Sequence, residues 1–143
     1  MSFSKRISRS AFAWALIVVL PGLAAGASSI AGQARVLFTS PADGVTVSSP
    51  VKVTMGAVNL IVEPAGDVKA GAGHLHIMVD TDCLAAGQVV PKDDTHLHYG
   101  KGQLEAELVL SPGTHTLCLQ AADGAHMALA GEGMTQRMTI TVK

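Results

Sequence analysis

From residue 35 onward the chain alternates. Apolar and polar side chains exchange over short runs, and turn residues part the runs. "RVLFT" (35–39) is the first run, closed by "SPADG". "VKVTMGA" (51–57) puts Val51, Val53, Met55 and Ala57 on one face. "NLIVEPAGD" reads as a short strand and a turn. "HLHIMVD" (74–80) alternates cleanly, and "HLHY" (96–99) is a short extended piece. "QLEAELVL" (103–110) lines up Leu104, Ala106, Leu108 and Leu110. "THTLCLQA" (114–121) follows an "SPG" turn, and "TQRMTITV" (135–142) ends with Met138, Ile140 and Val142 on one side. A period of two, bounded by Gly, Pro, Asp and Ser, predicts β-strands. No window after the first 27 residues carries a helical period. About seven short strands over residues 35–143 predict an all-β fold, an antiparallel, immunoglobulin-like β-sandwich.

The first 27 residues follow another rule. "MSFSKRISRS" carries Lys5, Arg6 and Arg9 and no acid, and "AFAWALIVVL" then runs apolar from Ala11 to Leu20. Pro21 and Gly22 break the run, and Ala25-Gly26-Ala27 offers small residues for cleavage. This is the layout of a secretory signal peptide, residues 1–27. The competing reading is an uncleaved membrane anchor, but the run falls short of the roughly 20 residues a span needs. Residues 28–34, "SSIAGQA", are small and weakly patterned and read as a flexible leader. A periplasmic or secreted protein is expected, with no membrane span after cleavage.

Removing the leader changes the charge. Of ten Lys and Arg, three leave with it, so seven face eleven Asp and Glu. A mildly acidic chain with few aromatics does not suit nucleic acid. The two cysteines, Cys83 and Cys118, both remain, and in an oxidising compartment a disulfide is the default. It would close a loop of about 36 residues, for which chain entropy gives roughly 4 kcal/mol.

The candidate chemistry lies in the histidines. All six fall between residues 74 and 126. In "HLHIMVD", Leu75, Ile77 and Val79 should face the core, leaving His74, His76 and Met78 on the other side. In "HLHY", His96 and His98 share a face opposite Leu97 and Tyr99. Side chains two apart on a strand are rooted about 6–7 Å apart, so each pair can lean onto one ion. If "TDCLAAGQVVPKDD" brings the second pair back beside the first, four imidazoles face one point. Imidazole suits zinc, copper, iron or nickel, and the Met78 thioether favours copper. The metal ligands expected are His74, His76, His96 and His98, with Met78 and His126 as additional ligands. The plainer alternative is a set of solvated histidines on an exposed strand face. His115 reads as a hydrogen-bonded histidine at the start of a core strand. His126 is either a loop residue or a ligand. Asp93 and Asp94 either orient a ligand histidine or make a turn.

"GHLHIMVD", "DDTHLHYGKGQLEAELVLSPGTHTLCLQAADGAH" and the closing strand together resemble a family of small exported bacterial domains of unknown function. Its blocks are GH-x-H, H-x-H-[FY]-GKGQ and PGTHTL, and the resemblance runs from about Ser40 to the C-terminus. It implies an exported sandwich-like domain without an established activity. Family-like histidines fall on His74, His76, His96, His98, His115 and His126. Many relatives carry a second histidine and a proline-rich turn after the position of His126. Here "HMALAGEGM" stands there, which makes Met127 and Met134 candidate soft replacements. A looser resemblance is to blue-copper proteins, in the order Cys118, His126, Met134. That reading needs a free thiolate.

The expected function is metal sequestration, delivery or sensing in the cell envelope, with copper favoured over zinc. An unidentified envelope protein is a further expected partner. No general acid or base stands out beside the histidines. The alternatives are a metal-dependent enzyme with an open coordination position, and an immunoglobulin-like interaction module without metal.

Overall fold

The structure, a computed structural model, describes residues 32–143. The expected signal peptide and most of the leader lie outside the described residues. Nine strands form among those described: β1 (Arg35–Ser40), β2 (Thr46–Val47), β3 (Val51–Val58), β4 (Ile61–Val62), β5 (Ala72–Val79), β6 (His96–Tyr99), β7 (Glu105–Leu108), β8 (Gly113–Ala122) and β9 (Thr135–Val142). A 3-10 turn, Glu132–Met134, leads into β9. The fold is the all-β sandwich that the alternation predicts.

One sheet has the order β1-β3-β7. The other has the order β2-β9-β8-β5-β4, with β6 also paired to β5. Between them lies the core. β3 and β7 contribute Val51, Val53, Met55, Ala106 and Leu108 from one side. Leu75, Ile77, Leu117, Leu119 and Ile140 come from the other, all fully buried. Each of these sits at alternate positions of its strand, so the period of two read in the sequence is the period of burial.

The expectation of about seven antiparallel strands needs two corrections. β2 adds a strand of two residues, the short strand expected in "NLIVEPAGD" is β4, and both pair in parallel, β2 with β9 and β4 with β5. Two residues cannot display a period, so neither pairing is visible in the pattern. β7 is also shorter than the run 103–110. Leu104 is 42% exposed, while Leu110 packs at the edge of the core.

β5 is the strand that matters most for the site. It is buried along its whole length, on both faces. β8 flanks it on one edge, with His76 opposite Gln120 and Met78 opposite Cys118. β6 flanks it on the other, with His76 opposite His98 and Met78 opposite His96. The segment from Asp80 to Thr95 does carry the chain back, as the return of the second H-x-H requires. It also crosses the outer face of the sheet and covers it. Cys83 in this segment is disulfide-bonded to Cys118 on β8, with Cα atoms 5.6 Å apart. Gln120, buried beside it, accepts from Leu84 N at 2.8 Å and donates to Leu84 O at 3.0 Å. Met78, Val90, Cys118 and Ala122 form a second small apolar cluster under this cover, with Cys83 and Leu84 packed against it.

His115 makes the hydrogen-bonded contact expected of it. Its Nδ1 lies 2.7 Å from Asp80 Oδ2 and its Nε2 lies 2.9 Å from the Ser111 carbonyl. The Ser111 and Asp80 hydrogen bonds raise its pKa above the ordinary histidine value.

The disulfide generates the first prediction. Thiol titration of unfolded, unreduced protein should find no free thiol, and two per chain would show that the bond does not form. The Cys83→Ala/Cys118→Ala double variant should unfold at lower urea, with a loss of roughly 2–4 kcal/mol.

Candidate metal site

Four histidines converge under the cover: His74, His76, His98 and His126. Every pair of these rings has centroids 4.7–5.9 Å apart. His74 and His76 come from the outer face of β5, and His98 comes from the same face of β6. His126 comes from the turn after β8.

That turn is built by its own backbone. Asp123 Oδ1 accepts from Ala125 N and Met127 N, both at 2.9 Å, and His126 N donates to Asp123 O at 3.0 Å. His126 takes a left-handed conformation, φ 69°, which costs a non-glycine residue about 1–3 kcal/mol. Gly124 lies against the Gly66 and Asp67 carbonyls, where a Cβ would overlap both. The turn is then stitched to the covering segment. Val90 N donates to His126 O at 2.9 Å, and Ala128 N donates to Gln88 O at 2.8 Å. Val89 and Met127 form a bridge beside them.

The nitrogens face inward. His76 Nε2 and His74 Nε2 are 2.9 Å apart, and His126 Nε2 and His98 Nε2 are 3.1 Å apart. In each pair one ring donates its N–H to the other. His74, His76 and His98 each offer a ligand atom within 4.8 Å of the others, and the three could hold a metal ion. Nitrogens bound about 2 Å from one ion lie roughly 2.9–3.4 Å from each other in tetrahedral or square arrangements. The two short separations already meet that range.

The electrostatics favour neutral rings. His74 and His76 are 0% and 1% exposed. Burial lowers the His74 pKa to about 4, helped by the neighbouring His126 and His98. Burial, then the surrounding imidazoles, lowers His76 to about 3. His98 is lowered too, by burial first and then by His126 and Lys92. Neutral imidazole is the form that binds metal. The Nδ1 atoms of His74 and His76 are buried and have no hydrogen-bond partner.

The sequence-expected ligands divide. His74, His76 and His98 meet, and the His126 ring packs against them. His96 does not join them. Its Nδ1 is turned onto Asp93 Oδ1 at 2.8 Å, and its backbone N donates to the same oxygen at 2.9 Å. The Asp93 carboxyl is held below its usual range by His96 and Thr95. Asp93 therefore orients a histidine, but one outside the cluster. Met78 is on the expected face, yet it packs in the apolar cluster beside the disulfide. Met134 is buried in the main core, and Met127 is at the surface. The blue-copper order is corrected outright, because Cys118 is bonded to Cys83 and offers no thiolate.

Sequence reasoning passed over Gly100. The His98 ring folds across it, and a Cβ there would overlap the ring at Cε1 and Nε2. The glycine after "HLHY" is the visible trace of that fold.

Two predictions follow from this geometry. In metal-free protein, two histidines are neutral when folded and have ordinary pKa values when unfolded. The unfolded chain then binds more protons between about pH 6.5 and pH 3. Stability should fall as pH drops through that window, and urea unfolding across it would show this. A stability that rises on acidification there contradicts neutral burial. Gly100→Ala keeps every histidine but displaces the His98 ring. It should weaken metal binding by about tenfold or more with the β signal in circular dichroism unchanged; unaltered affinity would show that the ring position does not matter.

A search of solved structures finds no match, and a search of curated proteins finds none either. Comparison with protein families matches residues 53–143 to a domain of unknown function, DUF4399. The matched stretch holds β5, β6, β8 and all six histidines, and the chain belongs to the DUF4399 family.

Proposed function

We propose that this protein binds a transition-metal ion through His74, His76, His98 and His126, and that it sequesters, delivers or senses that ion in the cell envelope. The observation that carries the reading is the meeting of His74, His76 and His98, each offering a ligand nitrogen within 4.8 Å of the others, with the His126 ring against them. An ion at the meeting point gives the inward nitrogens a partner stronger than each other.

Copper is favoured over zinc. Among divalent first-row ions copper binds nitrogen sites most tightly. Export itself rests on the N-terminal pattern and agrees with the disulfide. No helix among the described residues is long and apolar enough to cross a membrane.

A cleft that reaches His76, His98 and His126 supports a second reading, an enzyme working at an open coordination position. Substrate-dependent turnover lost on chelation would favour it over storage or delivery.

Copper and zinc titrations test the metal reading. Replacing His76 and His98 by glutamine should lower affinity by more than the roughly 10–100-fold that an outer partner costs. Loss of His126 should weaken binding, and loss of His96 should not. Because burial keeps His74 and His76 neutral below the ordinary histidine range, binding should persist below pH 6 and fail toward about pH 4. Equal affinity in wild type and the double variant would sink the proposal.

A further inference from the structure

The four histidines are not equally enclosed. His74 is fully buried, while His98 and His126 are half-buried. A cleft of ≈ 430 Å³ opens over the cluster and reaches His76, His98 and His126, with His74 behind them. An ion held by the four rings is covered on the His74 side and faces the cleft on the other.

The remaining cleft wall has a distinct chemistry. Val89, Val90 and Pro91 make it apolar, and Lys92 is the charged side chain in it. No carboxylate lines it. Lys92 stands close enough to act on His98, where its charge opposes protonation. A divalent ion and an ammonium facing one apolar cleft make a positive field that the cleft's own lining does not balance. Apolar walls thin the water that would screen that field. The cleft also exceeds many times the roughly 30 Å³ of one water.

We propose, resting on the metal reading above, that an ion in this site keeps a coordination position on the cleft side, and that this position takes a small anion with Lys92 as its counter-charge. The anion's donor atom occupies the position on the metal, and its remaining charge lies toward the ammonium. Lys92 is a positioning residue, since it touches the anion and not the metal. His96 and Asp93 line a neighbouring hollow with Lys92 and have no part in this step.

The test uses full-length mature protein loaded with copper(II) and titrated with azide. Copper affinity is measured first. The azide-to-copper charge-transfer absorption should then rise and saturate. Lys92→Ala should bind copper no more weakly than wild type but azide roughly fivefold more weakly, the effect of one screened charge a few ångströms away. Lys92→Arg should restore azide binding, and added inert salt should narrow the gap between wild type and Lys92→Ala. Failure to bind copper would overturn the metal reading and this proposal together. Tight copper without an azide band means a saturated four-histidine site, and overturns the open position alone. An azide affinity that is the same in wild type and Lys92→Ala overturns the counter-charge.

Discussion

β5 buries both of its faces, and the rest of the molecule is arranged around that demand. Its inner face is ordinary. Leu75, Ile77 and Val79 meet the facing sheet across the sandwich core. Its outer face carries His74, His76 and Met78, which in a plain two-layer sandwich would look into water. Here they do not, because the chain between β5 and β6 is laid back over them. A cover of this kind has few apolar contacts of its own and needs fixing. The Cys83–Cys118 bond fixes one end, and the Gln120 amide holds Leu84 by both of its atoms. The short ribbon between residues 87–90 and 126–128 fixes the other.

These fastenings give the outer face a gradient. At the Met78 end it is apolar and closed, with the disulfide alongside. At the His74 end it is polar, and only its rim is open. The disulfide anchors the cover beside Met78, where register puts Cys118. Val89 to Lys92, further along the same segment, are left to form a wall beside the histidines. The same stretch of chain thus dries the buried imidazoles and shapes the access to them. Drying explains the lowered pKa values, and access explains why His98 and His126 are only half-buried.

Much of this was legible in the sequence. The alternation in "HLHIMVD" sets which side chains enter the core, since a slip of one residue would exchange the faces. The return of "HLHY" beside it needed only a connecting segment of sufficient length. Two things were not legible. β2 is too short to show a pattern, and the parallel pairing of β2 and β4 is set by the longer strands they lie against. The entry of His126 depends on a left-handed turn held by Asp123 and on the close approach of Gly124 to residues 66 and 67. Those contacts are distant in sequence, so "ADGAH" alone leaves the direction of the ring open.

The two H-x-H pairs look equivalent in the sequence and are not equivalent in the fold. Period two guarantees only that both histidines of a pair share a face. It does not decide what each ring meets there. In β5 both rings lie deep in the sheet and turn toward each other, with Nε2 atoms 2.9 Å apart. In β6 the first histidine stands at the strand's entry, directly after the turn that Asp93 closes. Asp93 Oδ1 already accepts from Thr95 N, the Thr95 hydroxyl and His96 N, so the His96 ring completes an acceptor at hand. His98 is two residues further in, free of that turn, and Gly100 leaves room for its ring to swing toward the cluster. A repeated motif therefore divides its labour by position: the histidine at the strand end secures the turn, and the one inside the strand faces the site. The place this leaves is filled from a different loop, by a histidine with no partner two residues away.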